Sequence, residues 1–372
     1  MGYSGNVDLT KTAYPVAVYV GNESTTSYPF SRISALNNPD LRWEKSKQYN
    51  IGLDFSLQGK VLSGSLDFYR KLGIDLYGET LYDYTAAGLN NVIIKNVANS
   101  KGTGFDLVLN SININRAIQW TSSLLLNYNK SITDKYYSPY ANKAHILTGG
   151  GNTIIPVVGK DLYGIVAYRW AGLDNQGNPQ GYLDGKPSTD YAAISNEIAD
   201  KELEGSNIVF VGSGTPHYFG SLINTVSWKR FSVAVNLAYK FGYYFFKPSI
   251  NYDALINSGG GHSDFAKRWQ RPGDEAITNV PSFIYPNDAA RDNLYLNSTA
   301  NVLKGDHIRL QYIQFSWMPE WGGNHSFKGL ELYANAANLG IIWRSNQQHI
   351  DPDYPATVPP GKTWAVGIRC NF

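Results

Sequence analysis

Apolar and polar residues alternate along much of this chain with a period of two. The segment Phe231–Phe241 shows it most clearly, since one side carries the apolar residues Phe231, Val233, Val235, Leu237, Tyr239 and Phe241. A period of two predicts β-strands, because successive side chains of a strand point to opposite faces. The same alternation recurs at residues 48–57, 120–129 and 363–372.

The lengths of these segments narrow the fold class. They run for about ten residues or more, which is the length that a tilted strand needs to cross a bilayer. Strands of soluble sandwiches are usually nearer five or six residues. In His307–Trp317 the apolar phase changes between Tyr312 and Ile313. The change predicts either a β-bulge or a misplaced strand boundary.

Short and long connections alternate between the segments. Short ones lie at residues 58–60, 113–116 and 229–230, a moderate one at 319–328, and long ones at about 72–103, 130–215, 243–306 and 339–361. Outer-membrane barrels have short periplasmic turns and long extracellular loops. The sequence therefore predicts an all-β fold: roughly ten long antiparallel strands that form a portion of a transmembrane β-barrel.

Composition and charge exclude several classes of protein. Aromatic residues make up 14% of the chain and charged residues only 17%, a balance that suits a sheet with one oily and one wet face. The net charge of +2, without a polybasic run, argues against nucleic acid as a partner. A single cysteine, Cys370, excludes an internal disulfide. The chain contains no run of about 18 apolar residues, which is the length that a membrane helix needs.

Candidate chemistry is sparse. No nucleophile, zinc-protease or phosphate-binding motif is found. Six histidines are scattered without metal-ligand spacing: His145, His217, His262, His307, His325 and His349. Residues 174–178, followed by Asp184-Gly185, alternate oxygen ligands like a calcium loop, but they lack its final glutamate and are more typical of turns. We therefore expect no enzyme, no metal and no cofactor.

Several motifs resemble the SusC/RagA family of TonB-linked outer-membrane proteins. Residues 38–44 read NPDLRWE and residues 47–54 read KQYNIGLD, similar to the family's NPDLKWE block and the N-x-G-x-D that follows it. Further matches, in family order, lie at residues 64–71, 99–107, 214–220, 268–274, 305–310, 338–339 and 351–353. One departure is Pro359-Pro360-Gly361 in the final loop. The resemblance spans essentially the whole chain.

This resemblance implies a place and a function for the chain. Residues 1–372 would be the C-terminal part of a barrel of about 22 strands, with the signal peptide, TonB box, plug and first barrel half absent. The complete protein would lie in the outer membrane of a Bacteroidetes-type bacterium, in contact with its lipid. There it would import a glycan, an oligosaccharide or a peptide, with a SusD-like surface lipoprotein over its loops and energy from the TonB complex.

The candidate site residues are aromatic. Exposed Trp and Tyr rings in or beside the outward loops are expected to contact ligand or, alternatively, to pack the loops against each other or the lipoprotein: Trp170, Tyr182, Trp269, Tyr285 and Trp343. The resemblance implies that Phe372 is the terminal aromatic signal for barrel assembly.

A soluble all-β carbohydrate-binding module is the alternative from another class. In that fold the apolar side of Phe231–Phe241 would be a closed core between two sheets. The exposure of Val233, Val235 and Leu237 separates the two hypotheses.

Overall fold

The structure is a computed structural model, and it describes residues 2–6, 15–81, 85, 92–138, 151, 154, 156–196, 207–319 and 329–371. Its strands, in chain order, are β1 (Gly2–Asn6), β2 (Val16–Asn22), β3 (Pro29–Ala35), β4 (Glu44–Ser56), β5 (Leu62–Leu81), β6 (Val92–Asn115), β7 (Ile118–Tyr136), β8 (Gly164–Tyr168), β9 (Gly181–Leu183), β10 (Lys186–Ser188), β11 (Ile208–Ser213), β12 (Tyr218–Trp228), β13 (Phe231–Phe241), β14 (Tyr244–Phe246), β15 (Val302–Lys304), β16 (His307–Trp317), β17 (Gly329–Arg344) and β18 (Thr363–Asn371).

Ten of these strands form one antiparallel sheet in the order β1-β4-β5-β6-β7-β12-β13-β16-β17-β18. The order follows the chain, so the sheet is an up-and-down meander. The other strands form the separate pairs β2-β3, β8-β11, β9-β10 and β14-β15. The α-helices are short: α1 (Tyr191–Asn196), α2 (Tyr252–Ser258) and α3 (Ala289–Leu296). No helix in the described part of the chain has the length and apolar character needed to cross a membrane.

The alternation of short and long connections is confirmed. The chain passes from β6 to β7 through residues 116–117 and from β12 to β13 through residues 229–230. Between β4 and β5 it makes a 3₁₀ turn at Gln58–Lys60. All three turns lie at one end of the sheet, and the long connections lie at the other.

Several strands are longer than the sequence pattern indicated. β5 extends to Leu81 and pairs with β6 from Val92 onward, so the predicted connection at 72–103 is wrong in its bounds. β7 and β17 likewise run on to Tyr136 and Arg344. These extensions contain register shifts, as between Gly73 and Leu76, that interrupt the period of two without ending the ladder.

The phase change in His307–Trp317 is a β-bulge, as one of the two interpretations predicted. Asn236 pairs with Tyr312, whereas its neighbour Leu237 pairs with Leu310. Gln311 is therefore the extra residue of β16 at this point. Because a single extra residue reverses the side-chain alternation, the apolar face keeps Ile308 and Leu310 before the bulge and Ile313, Phe315 and Trp317 after it. Tyr312 lies opposite Asn236 on the polar face.

One face of the sheet is apolar from strand to strand. Leu53, Leu66, Leu107 and Leu126 form one cross-strand row on β4 to β7. A second row joins the other half, in the order Val226, Val233, Phe315, Ala334 and Val366. The strand pairing thus assembles the scattered apolar positions into a continuous surface.

This apolar face is not covered by a second sheet among the described residues. Ile51 is 76% exposed and Val366 is 86% exposed. Of the three diagnostic residues, Val233 is exposed and both Val235 and Leu237 are only half-buried. A soluble module would have to bury them, so the exposed face favours contact with hydrocarbon.

The described apolar core lies mainly in the long connections. Val157, Val166, Tyr168, Ile194, Ile208 and Leu294 form one buried cluster, and Ile250, Tyr252, Val280 and Tyr295 form a second. Trp170 packs against both clusters. The two longest connections, β7 to β12 and β13 to β16, are therefore packed together as one loop core.

A buried arginine ties this loop core together. Arg291 of α3 is 1% exposed, and its Nη2 donates hydrogen bonds to the carbonyl oxygens of Gly177 and Ser282 and to the hydroxyl of Ser282. Those acceptors belong to both long connections. The arginine thus fixes their relative position through directional bonds in addition to apolar packing.

An arginine placed on the apolar face is expected to be costly. Val235→Arg should lower the free energy of unfolding from lipid vesicles by about 2–4 kcal/mol, because the charge would face hydrocarbon. Asn236→Arg, one residue along on the polar face, is the matched control and should cost less. Urea titrations followed by tryptophan fluorescence measure both, and equal losses would contradict the assignment of the two faces.

The loop core is expected to respond to truncation independently of the sheet. Leu294 is 2% exposed, so Leu294→Ala should destabilise the loop core by about 2–5 kcal/mol through the cavity it leaves. Ile277 is 83% exposed, and Ile277→Ala should change stability by less than about 0.5 kcal/mol. Protease cleavage within residues 156–319 reports the difference; equal cleavage of the two variants would count against a packed loop core.

Candidate functional site: the polar face of the sheet

Charged and polar side chains form a row on the face opposite the apolar one. The strand register places in one line, from β5 to β17, Asp67, Asp106, Asn127, Phe219, Lys240, His307 and Arg344. Six of these seven residues carry polar or charged groups. A hollow of about 790 Å³ lies on the same face over β4 to β7, with Asp67 and Asp106 in its wall.

A second hollow lies where the loop core meets this face. Residues 156–163 cross the long-connection end of β7, with bridges from Ile132 to Asp161 and from Thr133 to Val158. The imidazole Nε2 of His217 is 2.7 Å from Oδ1 of Asp161. We call this space of about 300 Å³ the Asp161 hollow; its lining includes Asn129, Asp161, Tyr163, His217, Phe219 and Lys240.

A network of charges lies beside the Asp161 hollow and shares Lys240 with it. We call it the Lys240 cluster, defined by Lys240, His307, Arg309, Asp351 and Asp353. Lys240 Nζ donates to Asp353 Oδ1 at 2.7 Å, and Arg309 Nη2 donates to both oxygens of Asp351 at 2.7 and 2.8 Å. His307 Nε2 lies 3.3 Å from Asp353 Oδ2. A hollow of about 150 Å³ opens beside the cluster.

The Lys240 cluster fastens the last long connection to the sheet. Asp351 and Asp353 belong to residues 345–362, whereas their cationic partners lie on β13 and β16. Burial alone would raise the pKa of Asp353, but hydrogen bonds from His307 and Lys240 and their charges outweigh burial and hold that pKa well below its usual range. The carboxylate therefore stays ionised at neutral and mildly acidic pH.

The acidic turn that resembled a calcium loop is closed by its own hydrogen bonds. Oδ1 of Asp174 accepts from the backbone N–H groups of Gln176 and Asn178, and its Oδ2 accepts from the side-chain amide of Asn178. Among the residues that the structure describes, no group of three or more His, Cys, Asp or Glu side chains is placed to hold a metal ion.

The aromatic candidates do not converge on one site. Trp170 packs inside the loop core and donates from Nε1 to Asn279, and Trp269 donates from Nε1 to Glu275, so both have structural contacts. Tyr182 is half-buried in β9. Tyr285 is 78% exposed, which leaves its ring the most accessible of the four.

Two other candidates have distinct outcomes. Trp343 lies within β17, and not in a loop, because the strand continues to Arg344. It pairs with Ile308 and its ring meets Phe241 edge-on at 6.1 Å, which places it on the apolar face. Phe372 lies outside the described residues, so its role in assembly stays a prediction.

Sequence reasoning missed the residues that the structure brings together on the polar face. His217 and His307 were treated as scattered, yet each meets an aspartate from a distant segment. The available signal was the opposite charge of two motifs quoted for the family resemblance, with His307 and Arg309 in one and two aspartates in the other. Only the side-chain contacts of the folded chain show that these motifs meet.

Comparison with known proteins finds similar sequences among TonB-dependent receptors. No protein-family model matches it. The TonB-dependent receptor P3 of Formosa agariphila is 26% identical over 322 residues, which cover 81% of this chain and 30% of that receptor. The TonB-dependent receptor SusC of Bacteroides thetaiotaomicron is 22% identical, covering all of this chain and 37% of SusC.

Solved structures agree on the fold. The structure described as the RagAB peptide transporter superposes with a TM-score of 0.72 at 22% identity, covering 100% of this chain and 40% of that one. The RagAB peptide importer in its closed-closed state gives 0.70. The chain is similar in sequence to TonB-dependent receptors such as SusC and in fold to the RagAB structures. Its ten-stranded sheet is a portion of their transmembrane barrel, and the chain spans about a third of the length of the curated relatives it matches.

Acid is expected to release residues 345–362, the last long connection, from the sheet. The pKa of Asp353 is lower in the folded protein than in the unfolded chain. Its contribution to the stability of the docked loop is therefore complete above the ordinary aspartate pKa of about 4 and is lost as pH falls through the lowered value. A fluorophore on Val358→Cys, with Cys370→Ser, should keep constant anisotropy from about pH 7 to 5 and lose it at lower pH. In the Asp353→Asn variant the labelled loop should be mobile, with low anisotropy, at every pH in this range. Identical anisotropy curves for the two proteins would contradict the anchoring role of Asp353.

Proposed function

We propose that the complete protein is a TonB-dependent importer in the outer membrane of a Bacteroidetes-type bacterium. It takes up a bulky nutrient, a glycan or a peptide, that exceeds the size of ordinary porin substrates. The present chain contributes barrel wall and surface loops. The chemistry is transport and not catalysis.

The two-faced sheet is the observation that carries this proposal. One face is apolar and exposed, which suits lipid, and the opposite face holds a row of charged and polar groups, which suits an aqueous passage. The Lys240 cluster and the Asp161 hollow lie at the long-connection end of that polar face. This is the end that faces the outside in outer-membrane barrels.

A SusD-like surface lipoprotein is the proposed partner over the loops. The similarity of this chain to SusC and to the RagAB structures supports this choice. The packed loop core offers a preformed surface for such a partner. Energy would come from the TonB complex, acting through parts of the receptor outside this chain.

The proposed substrate is either a glycan or a peptide. One solved neighbour is described as a peptide transporter, which supports a peptide for that protein. Exposed Tyr285 is the strongest of the initial aromatic candidates for contact with a ligand or the lipoprotein. Trp170 and Trp269 instead make structural contacts with Asn279 and Glu275. Phe372 is proposed as the assembly signal.

A matched pair of substitutions tests the passage. Asp106 lies on the polar face and Leu107, the next residue, on the apolar face. In the complete receptor, Asp106→Trp should slow uptake several-fold because the ring narrows the passage, whereas Leu107→Trp should leave uptake unchanged because it faces lipid.

Growth on single carbon sources provides the readout. A strain lacking the gene should fail on one class of polysaccharide or peptide and recover with the wild-type receptor or Leu107→Trp. Equal outer-membrane levels of both variants are the control. Normal growth of the deletion strain on every bulky source would refute the proposal.

A further inference from the structure

Phe219 breaks the pattern of the polar face. It pairs with Asn127 on one side and Lys240 on the other, in a row that is otherwise polar or charged. Its neighbour Tyr218 lies on the apolar face, so the strand already supplies an aromatic ring to lipid at this level. Phe219 is 36% exposed, and its ring lines the Asp161 hollow.

A second ring and several polar groups line the same hollow. Tyr163, 38% exposed, comes from the segment that crosses β7. The lining of the hollow also includes the carboxylate of Asp161, the imidazole of His217 and the amide of Asn129. The hollow therefore combines flat apolar surface with hydrogen-bonding groups of both kinds.

These groups are held in place before any ligand arrives. Asp161 bridges to Ile132 of β7 through its backbone, and its Oδ1 contacts His217 Nε2 at 2.7 Å. Lys240 is fixed from the other side by its hydrogen bond to Asp353. Because the side chains are already ordered, a ligand loses less affinity to their immobilisation.

The combination fits a sugar ring better than an anion or an extended peptide. A pyranose has an apolar C–H face that packs on aromatic rings and a rim of hydroxyls that both donate and accept. The lysine in the lining, Lys240, is neutralised by Asp353, which disfavours an anion. Backbone groups of β7 and β12 are engaged in their ladder, so neither strand offers an open edge to a peptide here.

The size of the hollow sets the scale of the ligand. About 300 Å³ is the lower end of the range for small-molecule sites, enough for one ring and not for a whole oligosaccharide. We propose that the Asp161 hollow is a saccharide subsite, which binds one pyranose ring of an incoming glycan between Phe219 and Tyr163 with hydrogen bonds to Asp161, His217 and Asn129. This inference rests on the proposed import function and specifies its substrate class.

Binding by the complete receptor tests the subsite. The probes are maltohexaose, cellohexaose and xylohexaose, with two hexapeptides, one of Gly and Ser and one containing Phe, all titrated calorimetrically in detergent. At least one hexasaccharide should bind. Phe219→Leu, which keeps apolar bulk but removes the ring, should weaken its Kd roughly 5–10-fold, and Asp161→Asn should weaken it about tenfold or more.

Two further variants separate binding from folding. Phe219→Tyr keeps an aromatic ring at this position, unlike Phe219→Leu, and its Kd for the hexasaccharide should lie within about twofold of the wild-type value. Tyr218→Leu, on the apolar face of the same strand, should leave the Kd unchanged. Heat-modified mobility on gels confirms assembly; if Phe219→Leu does not assemble, Asp161→Asn carries the test.

The outcomes are distinguishable from failure of the import function. If no hexasaccharide binds, or if one binds with the same Kd in Phe219→Leu and Asp161→Asn, the subsite is overturned even where the receptor still imports. If the Phe-containing peptide binds and Phe219→Leu weakens it, the hollow takes a peptide side chain and the saccharide assignment is wrong. If the wild-type receptor binds a hexasaccharide but does not import it, the result counts against the transport proposal and not against the subsite.

Discussion

Backbone hydrogen bonding in the absence of water is the constraint on which the rest of this structure depends. Within a bilayer each N–H and C=O group needs a partner in the protein, and a continuous antiparallel ladder supplies one. The ladders here extend beyond the span of the membrane, as between β5 and β6. Once every strand is fixed by its neighbours, side chains are free to differ on the two faces.

The usual position of the hydrophobic core is reversed as a result. The sheet exposes its apolar residues, whereas the loops bury theirs around Trp170 and Tyr295. Lipid replaces protein as the packing partner of the sheet. The loops face water, so their apolar side chains have to pack against each other in a buried core. Charges on the polar face then join the two parts, since the Lys240 cluster fastens residues 345–362 to β13 and β16.

The fold could be predicted from sequence further than the site could. Alternation in Phe231–Phe241 and the two-residue turn at 229–230 are local signals, and both correspond to the structure. Strand extensions such as Leu76–Leu81 were missed because bulges break the alternation while cross-strand pairing continues. Local pattern cannot report a ladder that a neighbouring strand maintains.

The candidate site depends on contacts that no local pattern contains. Aromatic residues were chosen because rings bind ligands, but Trp170 packs in the loop core, and Trp343 lies on the apolar face of the sheet beside Phe241. Asp161 meets His217 across 56 positions, and Asp353 meets Lys240 across 113. Phe219 can be recognised as an exception only when the strand register shows that it lies on the polar face.

The buried Arg291 has a consequence for how such a protein can change over time. Because it joins two long connections by hydrogen bonds that include backbone carbonyls, residues elsewhere on their surface can be replaced without disturbing that junction. Selection can then alter the exposed surface of the loops while the sheet beneath keeps its sequence requirements. Variation among descendants of this gene should concentrate on the outer rim of the loops and avoid the junction at Gly177 and Ser282.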